Sequence, residues 1–220
     1  MIMDKLAKRG VCLIGCGFMG KALVEAWLAK GMPAGSIYVR DPRPSGWLQS
    51  QAGVNINEPF PASPAAIVIA TRPQIVEKVL APLGSFGGGE TVILSIAASK
   101  PISVLEKQFP DGTPIIRAMP NLPATVGSAV STFVANEALT ASQKVEALKL
   151  IAAFGSVVEL PDEGLLPVVT ALSGAGPAYV FAMAEAFAAA GARLGLPEDL
   201  AHELAVRTVA GAGRMLAQPD

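Results

Sequence analysis

Between Gly15 and Gly20 the chain reads Gly-Cys-Gly-Phe-Met-Gly, and the apolar run Val11-Cys12-Leu13-Ile14 leads into it. A short strand, a Gly-x-Gly-x-x-Gly turn and a helical pattern, in that order, form a holder for the pyrophosphate of a dinucleotide. Gly15 permits the tight turn, Gly17 lets backbone approach a phosphate, and Gly20 lets helix and strand pack closely. The helix start adds free N–H groups and the positive end of the helix dipole. Asp41 lies 21 residues beyond Gly20, close to the spacing of the acidic residue that binds a ribose 2′-hydroxyl. Arg40 and Arg43 flank it, and arginine suits the 2′-phosphate of NADP instead. The choice between NADPH and NADH therefore stays open, and Asp41 could also simply start a turn ahead of Pro42.

The elements that must position these residues alternate. Strands are expected over 36–40, 65–70, 91–95 and 113–117, and helices over 21–30, 73–80 and 101–108. Ala22, Leu23, Ala26, Trp27 and Ala29 fall near one stripe of the first helix. Strands over 128–134 and 156–160 with a helix over 142–154 complete the sheet. This order predicts an α/β fold with a doubly wound, mostly parallel sheet covered on both faces. In such a sheet ligands sit outside the carboxyl ends of the strands. That places Ala70-Thr71-Arg72-Pro73, Ser95-Ile96-Ala97-Ala98 and Met119-Pro120-Asn121-Leu122-Pro123 around the same nucleotide.

Composition changes at Pro161, dividing the chain into a dinucleotide-binding domain over 1–160 and a helical domain over 161–220. Helices are expected over 165–172, 177–194 and 197–216. The middle one is apolar on most faces, and such a helix must be covered on all sides. A second subunit is the expected cover.

Three motifs resemble the pyrroline-5-carboxylate reductase family. They are Ile14-Gly15-x-Gly17-x-Met19, Arg117-x-Met119-Pro120-Asn121-x-Pro123-x-x-Val126-Gly127 and Leu172-Ser173-Gly174-Ala175-Gly176-Pro177-Ala178-Tyr179-Val180-Phe181. The first is generic, and the other two are specific in content, order and spacing. The resemblance runs from about Val11 to Leu216. It implies a Rossmann domain followed by a helical dimerisation domain, and reduction of the cyclic imine of pyrroline-5-carboxylate to proline with NADPH or NADH. It implies cofactor contacts at Ile14, Gly15, Cys16, Gly17, Phe18, Met19, Asp41, Asn57, Ala70, Thr71, Arg72, Pro73, Ile96, Ala97 and Ala98, to which the glycine motif, the charges and the strand-end loops add Gly20, Arg40 and Asn121. It implies substrate contacts at Glu163 and at Ser173, Gly174, Ala175, Gly176 and Pro177. It also implies a homodimer or a ring of dimers.

The chain departs from the family pattern in three places. Thr71-Arg72-Pro73 stands where Val-Lys-Pro is usual, which keeps the charge but changes its geometry. Ala175 replaces the second serine of Ser-Gly-Ser-Gly-Pro. The family continues past Asp220 with further helices and a Ser-Pro-Gly-Gly-Thr-Thr loop. That loop grips the substrate carboxylate and places a threonine beside the imine nitrogen, so the sequence reads as a truncated one with no catalytic residue identified within it.

The bulk properties narrow the field. The 220 residues are 51% hydrophobic and 16% charged, with a formal net charge of -1, which gives no electrostatic footprint for nucleic acid. No membrane span and no cleavable signal are read, and the polar start of the chain suggests the cytoplasm. Cys12 and Cys16 are expected to be small buried hydrophobes, not a redox or zinc pair. His202 is the single histidine, so no metal centre is expected. No His or Lys occurs between Pro161 and Phe187, which disfavours a hydroxy-acid dehydrogenase needing a proton shuttle. An imine protonated on nitrogen needs little such help. The alternatives are a protein that binds cofactor without turnover, or a related reductase acting on another imine or hydroxy acid.

Overall fold

The computed structural model describes residues 4–98 and 100–218. Pro219 and Asp220 lie outside them. The chain divides into two compact units, 1–169 and 170–220. The change of composition at Pro161 lies within the first unit.

The first unit opens with α1 (Asp4–Arg9) and β1 (Val11–Ile14), then α2 (Phe18–Ala29), β2 (Ile37–Arg40), α3 (Gly46–Gln49) and β3 (Asn55–Ile56). It continues with β4 (Ala66–Ile69), α4 (Val76–Leu80), β5 (Val92–Ser95), α5 (Ile102–Glu106), β6 (Ile115–Met119), β7 (Ala129–Ala135), α6 (Ala141–Ala152), β8 (Gly155–Glu159) and α7 (Leu166–Val169). One eight-stranded sheet runs in the order β3-β2-β1-β4-β5-β6-β7-β8. Strands β1 to β6 pair in parallel, β7 pairs antiparallel with β6, and β8 runs parallel to β7. Every residue of β1, β4 and β5 is buried, as a parallel sheet with two covered faces requires. On one face Leu13, Val39, Val68, Leu94 and Phe133 pack with Leu23, Trp27, Leu150 and Phe154. On the other, Cys12, Ile14, Ile67, Ile69 and Ile93 pack with Val76, Leu80 and Leu105. The indole N–H of Trp27 donates to the Leu150 carbonyl at 2.9 Å, locking α2 to α6.

The second unit is a helical hairpin, α8 (Gly176–Arg193) and α9 (Glu198–Leu216). Gly195 turns the connection at φ 102°. The two helices close up where Gly191 meets Ala201, and a Cβ on Gly191 would lie 3.2 Å from that of Ala201.

The doubly wound sheet and the trailing helices are as expected, but several boundaries differ. The helix after the glycine turn begins at Phe18, inside the motif, because its first N–H groups belong to the turn. Val24, not Ala29, joins its buried face. The expected strand over 113–117 lies at Ile115–Met119 instead, because Thr113 is held in a turn. Its hydroxyl donates to the Pro110 carbonyl and accepts from the Gly88 N–H. The helix expected over 165–172 is broken into the short α7 and a π-type turn over Thr170–Gly174. There the Ala175 N–H reaches the Thr170 carbonyl at 2.8 Å.

Candidate active site

Strands β1 to β6 run in parallel, so their carboxyl ends share one edge, and the loops singled out from the sequence gather there. The strand order turns back between β1 and β4, and crevices at such a switch point take ligands. Gly15 follows β1 at φ 88°, a conformation that favours glycine. A Cβ there would sit 2.9 Å from Thr71 Cγ2 and 3.0 Å from the Ala70 carbonyl oxygen. A Cβ on Gly20 would come within 2.3 Å of the Gly15 carbonyl oxygen. A Cβ on Gly17 would meet nothing within 4 Å, so that side of the residue faces open space. Helix α2 starts at this bare glycine with no side-chain cap and no acidic residue in its first turn. Its leading N–H groups are thus left for an anion.

The end of β2 is tied to this turn. The Asp41 carboxylate accepts the Cys16 N–H at 2.8 Å through Oδ2 and the Arg43 N–H at 2.8 Å through Oδ1. Asn57, in the left-handed region at φ 58°, accepts the Asp41 N–H and donates to the Asp41 carbonyl, each at 2.9 Å. Arg40 lies over the Phe60 ring at 4.1 Å. In the strand register Arg40 pairs with Ile14, on the face away from α2. Arg43 is exposed.

Beyond β4, the Thr71 hydroxyl is buried without a hydrogen-bond partner. Such a group costs stability unless something satisfies it, which fits a site completed by a bound molecule. Arg72 is exposed and Pro73 starts a 3-10 turn. After β5, Ile96 continues the ladder to the Ile69 carbonyl, and the Ala97 N–H reaches Ser95 Oγ at 3.3 Å. Ala98 is exposed at this edge, as is Phe18. Asn121 accepts the Val130 N–H at 2.9 Å, so part of its side chain serves the connection into β7.

Glu163 is committed within the first unit. Its Oε1 accepts Arg117 Nη1 at 2.6 Å and the Ile102 N–H at 2.9 Å. Ser173 and Gly174 lie in the π-type turn, Ala175 caps α8, and Gly176 and Pro177 begin it, all in the second unit. Burial pushes the Cys12 thiol up to about 12. Burial, helped by the Asp41 and Glu25 carboxylates, pushes Cys16 up to about 11. Neither thiol is a nucleophile near neutral pH.

The bracing of the glycine turn by Asp41 gave little sequence signal, because spacing marks Asp41 as a ribose ligand and says nothing of a bond to Cys16. The Asn57 clamp is equally hidden, since only its positive φ sets it apart. The orphan hydroxyl of Thr71 shows only as a departure from the family pattern.

Two family models match the chain. Pyrroline-5-carboxylate reductase dimerisation covers residues 163–220, and NADP oxidoreductase, coenzyme F420-dependent, covers residues 10–99. The pyrroline-5-carboxylate reductase of Synechocystis is 36% identical over 214 residues, spanning 94% of this chain and 79% of that protein. The chain belongs to the pyrroline-5-carboxylate reductase family. The family's enzyme from Escherichia coli is 33% identical, with 96% of this chain and 80% of that protein covered. A pyrroline-5-carboxylate reductase structure from Coxiella burnetii superposes with a TM-score of 0.90 at 28% identity, over 96% of this chain and 81% of that one. The Plasmodium falciparum pyrroline carboxylate reductase, crystallised with NADP bound, shares the fold at a TM-score of 0.82 and 24% identity, over 98% of this chain and 81% of that one. In this reductase the stretch Glu163–Arg193 is strongly apolar. By length and hydropathy alone it could cross a membrane, yet the model matching that region is a dimerisation domain.

Proposed function

We propose that this chain reduces the C=N bond of pyrroline-5-carboxylate to give proline, with NADPH or NADH as the reductant. The observation that carries the reading is the uncapped start of α2 at a glycine with open space beside it, in a chain of this family.

A bound reduced nicotinamide supplies the hydride. The chain's own part is binding and orientation. The N–H groups at Gly17, Phe18 and Met19 hold the pyrophosphate, and the β2 end beside Asp41 receives the adenosine half. Ala70 to Pro73 and Ile96 to Ala98 wall the nicotinamide half. A cyclic imine protonated on nitrogen is already an electrophile. Hydride addition to its carbon leaves a neutral secondary amine and requires no proton shuttle. Holding the two reactants face to face then accounts for much of the acceleration.

The protein works in the cytoplasm as a homodimer or a ring of dimers built through the helical unit. None of the residues of α8 is buried, and Tyr179, Phe181 and Phe187 are 62%, 54% and 50% exposed. A patch of this kind marks an interaction surface.

The decisive experiment adds pyrroline-5-carboxylate to protein and reduced nucleotide and follows the nicotinamide absorbance, with proline formation as a second readout. Loss of absorbance coupled to proline is expected. A flat trace with both nucleotides refutes the assignment.

A further inference from the structure

We propose that Arg43 is the residue of this chain that selects NADPH over NADH, and that Asp41 is the positioning residue that aims it. This rests on the reading that a nicotinamide nucleotide lies on the glycine turn.

Three charged residues compete for the adenosine ribose, and the structure gives each a different setting. Arg40 ends β2 on the sheet face away from α2, stacked over Phe60 at 4.1 Å. Its guanidinium is thus occupied away from the turn. Asp41 turns its carboxylate onto main-chain groups, one oxygen on the Cys16 N–H and the other on the Arg43 N–H, both at 2.8 Å. Asn57 fixes the Asp41 backbone from both sides. The carboxylate therefore acts as a brace. It folds Asp41-Pro42-Arg43 into a turn and draws that turn against Cys16 of the glycine motif. Arg43 is left on the rim of the nucleotide site with its side chain exposed. Among the described residues its guanidinium has no hydrogen-bond or ion-pair partner. A planar, permanently charged fork without a partner, three residues past β2, matches the oxygens of a 2′-phosphate. Its charge also offsets the nearby carboxylate, which would otherwise repel that phosphate.

The test titrates the full chain with NADPH, NADH and adenosine 2′,5′-bisphosphate, following heat of binding. The wild type should bind NADPH more tightly than NADH. Arg43→Ala should lose about tenfold or more for NADPH and for the bisphosphate, as expected for a charged hydrogen bond, and keep its affinity for NADH. Arg40→Ala should keep the wild-type ratio of the two nucleotides. Asp41→Asn should weaken both nucleotides and leave NADPH ahead. The inference is overturned if Arg43→Ala weakens NADH as much as NADPH. It is equally overturned if the wild type favours NADH and Asp41→Asn reverses that preference, which would make Asp41 a ribose ligand. Failure of every nucleotide to bind the wild type would instead remove the nucleotide site itself, and this inference with it.

Discussion

The Asp41 carboxylate accepts the backbone N–H of Cys16 at 2.8 Å, joining the end of β2 to the middle of the glycine turn across 25 residues of sequence. The same side chain also accepts the Arg43 N–H. Removing it strands the part-buried Cys16 N–H and hands the exposed Arg43 N–H to water. Asp41→Ala is therefore expected to cost about 1–3 kcal/mol of stability, the range for a buried donor left unsatisfied. Urea unfolding measures this, and a loss below about 0.5 kcal/mol would show the brace to be idle.

Two glycines of the motif, Gly17 and Gly20, should fail in different ways. A Cβ at Gly20 collides with the Gly15 carbonyl at 2.3 Å, so Gly20→Ala must push α2 off β1. Lower stability and lost nucleotide binding are expected together. Gly17 has open space and an ordinary φ of −73°, so Gly17→Ala should fold as well as the wild type. Its added methyl would occupy the approach to the phosphate, and nucleotide affinity should fall about tenfold or more. A Gly17→Ala protein that binds nucleotide normally would mean the phosphate lies elsewhere.

Alkaline pH should weaken the first unit. Both thiols are raised from 9.0, Cys12 to about 12 and Cys16 to about 11. The folded state thus holds these protons where the unfolded chain has released them. Their contribution is complete below about pH 9 and is lost as pH climbs toward 11 and then 12. Stability measured against pH should fall across that window, and Cys12→Ala should flatten the slope. An aromatic disulfide reagent at neutral pH should label neither thiol until the protein is unfolded. Rapid labelling of the native protein would contradict the burial.

Glu163 offers a sharper contrast between a substrate ligand and a structural group. Its Oε1 is already shared between Arg117 at 2.6 Å and the Ile102 N–H at 2.9 Å. The pair is only partly exposed, 14% for the Arg117 side chain and 32% for that of Glu163. Glu163→Gln should cost about 1–3 kcal/mol of stability, with kcat and KM for pyrroline-5-carboxylate nearly unchanged. A large rise in KM at unchanged stability would make Glu163 a substrate contact.

Much of this layout is legible in the residues. Val11–Ile14, Ala66–Ile69 and 92–94 are continuous apolar runs, and such runs mark strands covered on both sides. The Gly-x-Gly-x-x-Gly spacing carries the turn because each glycine meets a separate steric demand. The short α1, α3 and β3 carry no such signal. The two residues of β3, Asn55 and Ile56, are recruited by the β2 edge, and a pair of residues has no period to read. The division of labour among Arg40, Asp41 and Arg43 is also invisible in one dimension. It depends on which sheet face Arg40 joins and on a hydrogen bond between residues 16 and 41. The sequence pattern reports that charges are near β2, whereas tertiary contacts decide which of them is free.

The apolar helix α8 yields the last prediction. Tyr179, Met183 and Phe187 recur at every fourth position, which lines them up on one face, and they are 62%, 44% and 50% exposed. Helix α9 packs along α8 yet leaves none of its residues buried. An apolar stripe of this size in water is expected to pair with its copy, consistent with the dimerisation model that matches this segment. Replacing Met183 and Phe187 with Glu places two like charges per subunit into such an interface, where desolvation and repulsion oppose closure. The double variant should sediment as a monomer of 22.5 kDa and retain the Rossmann domain's affinity for nucleotide, because no residue of that domain is altered. The wild type should sediment at twice that mass or a higher even multiple. A monomeric wild type, or a double variant that stays fully dimeric, would show that this stripe is not the subunit contact.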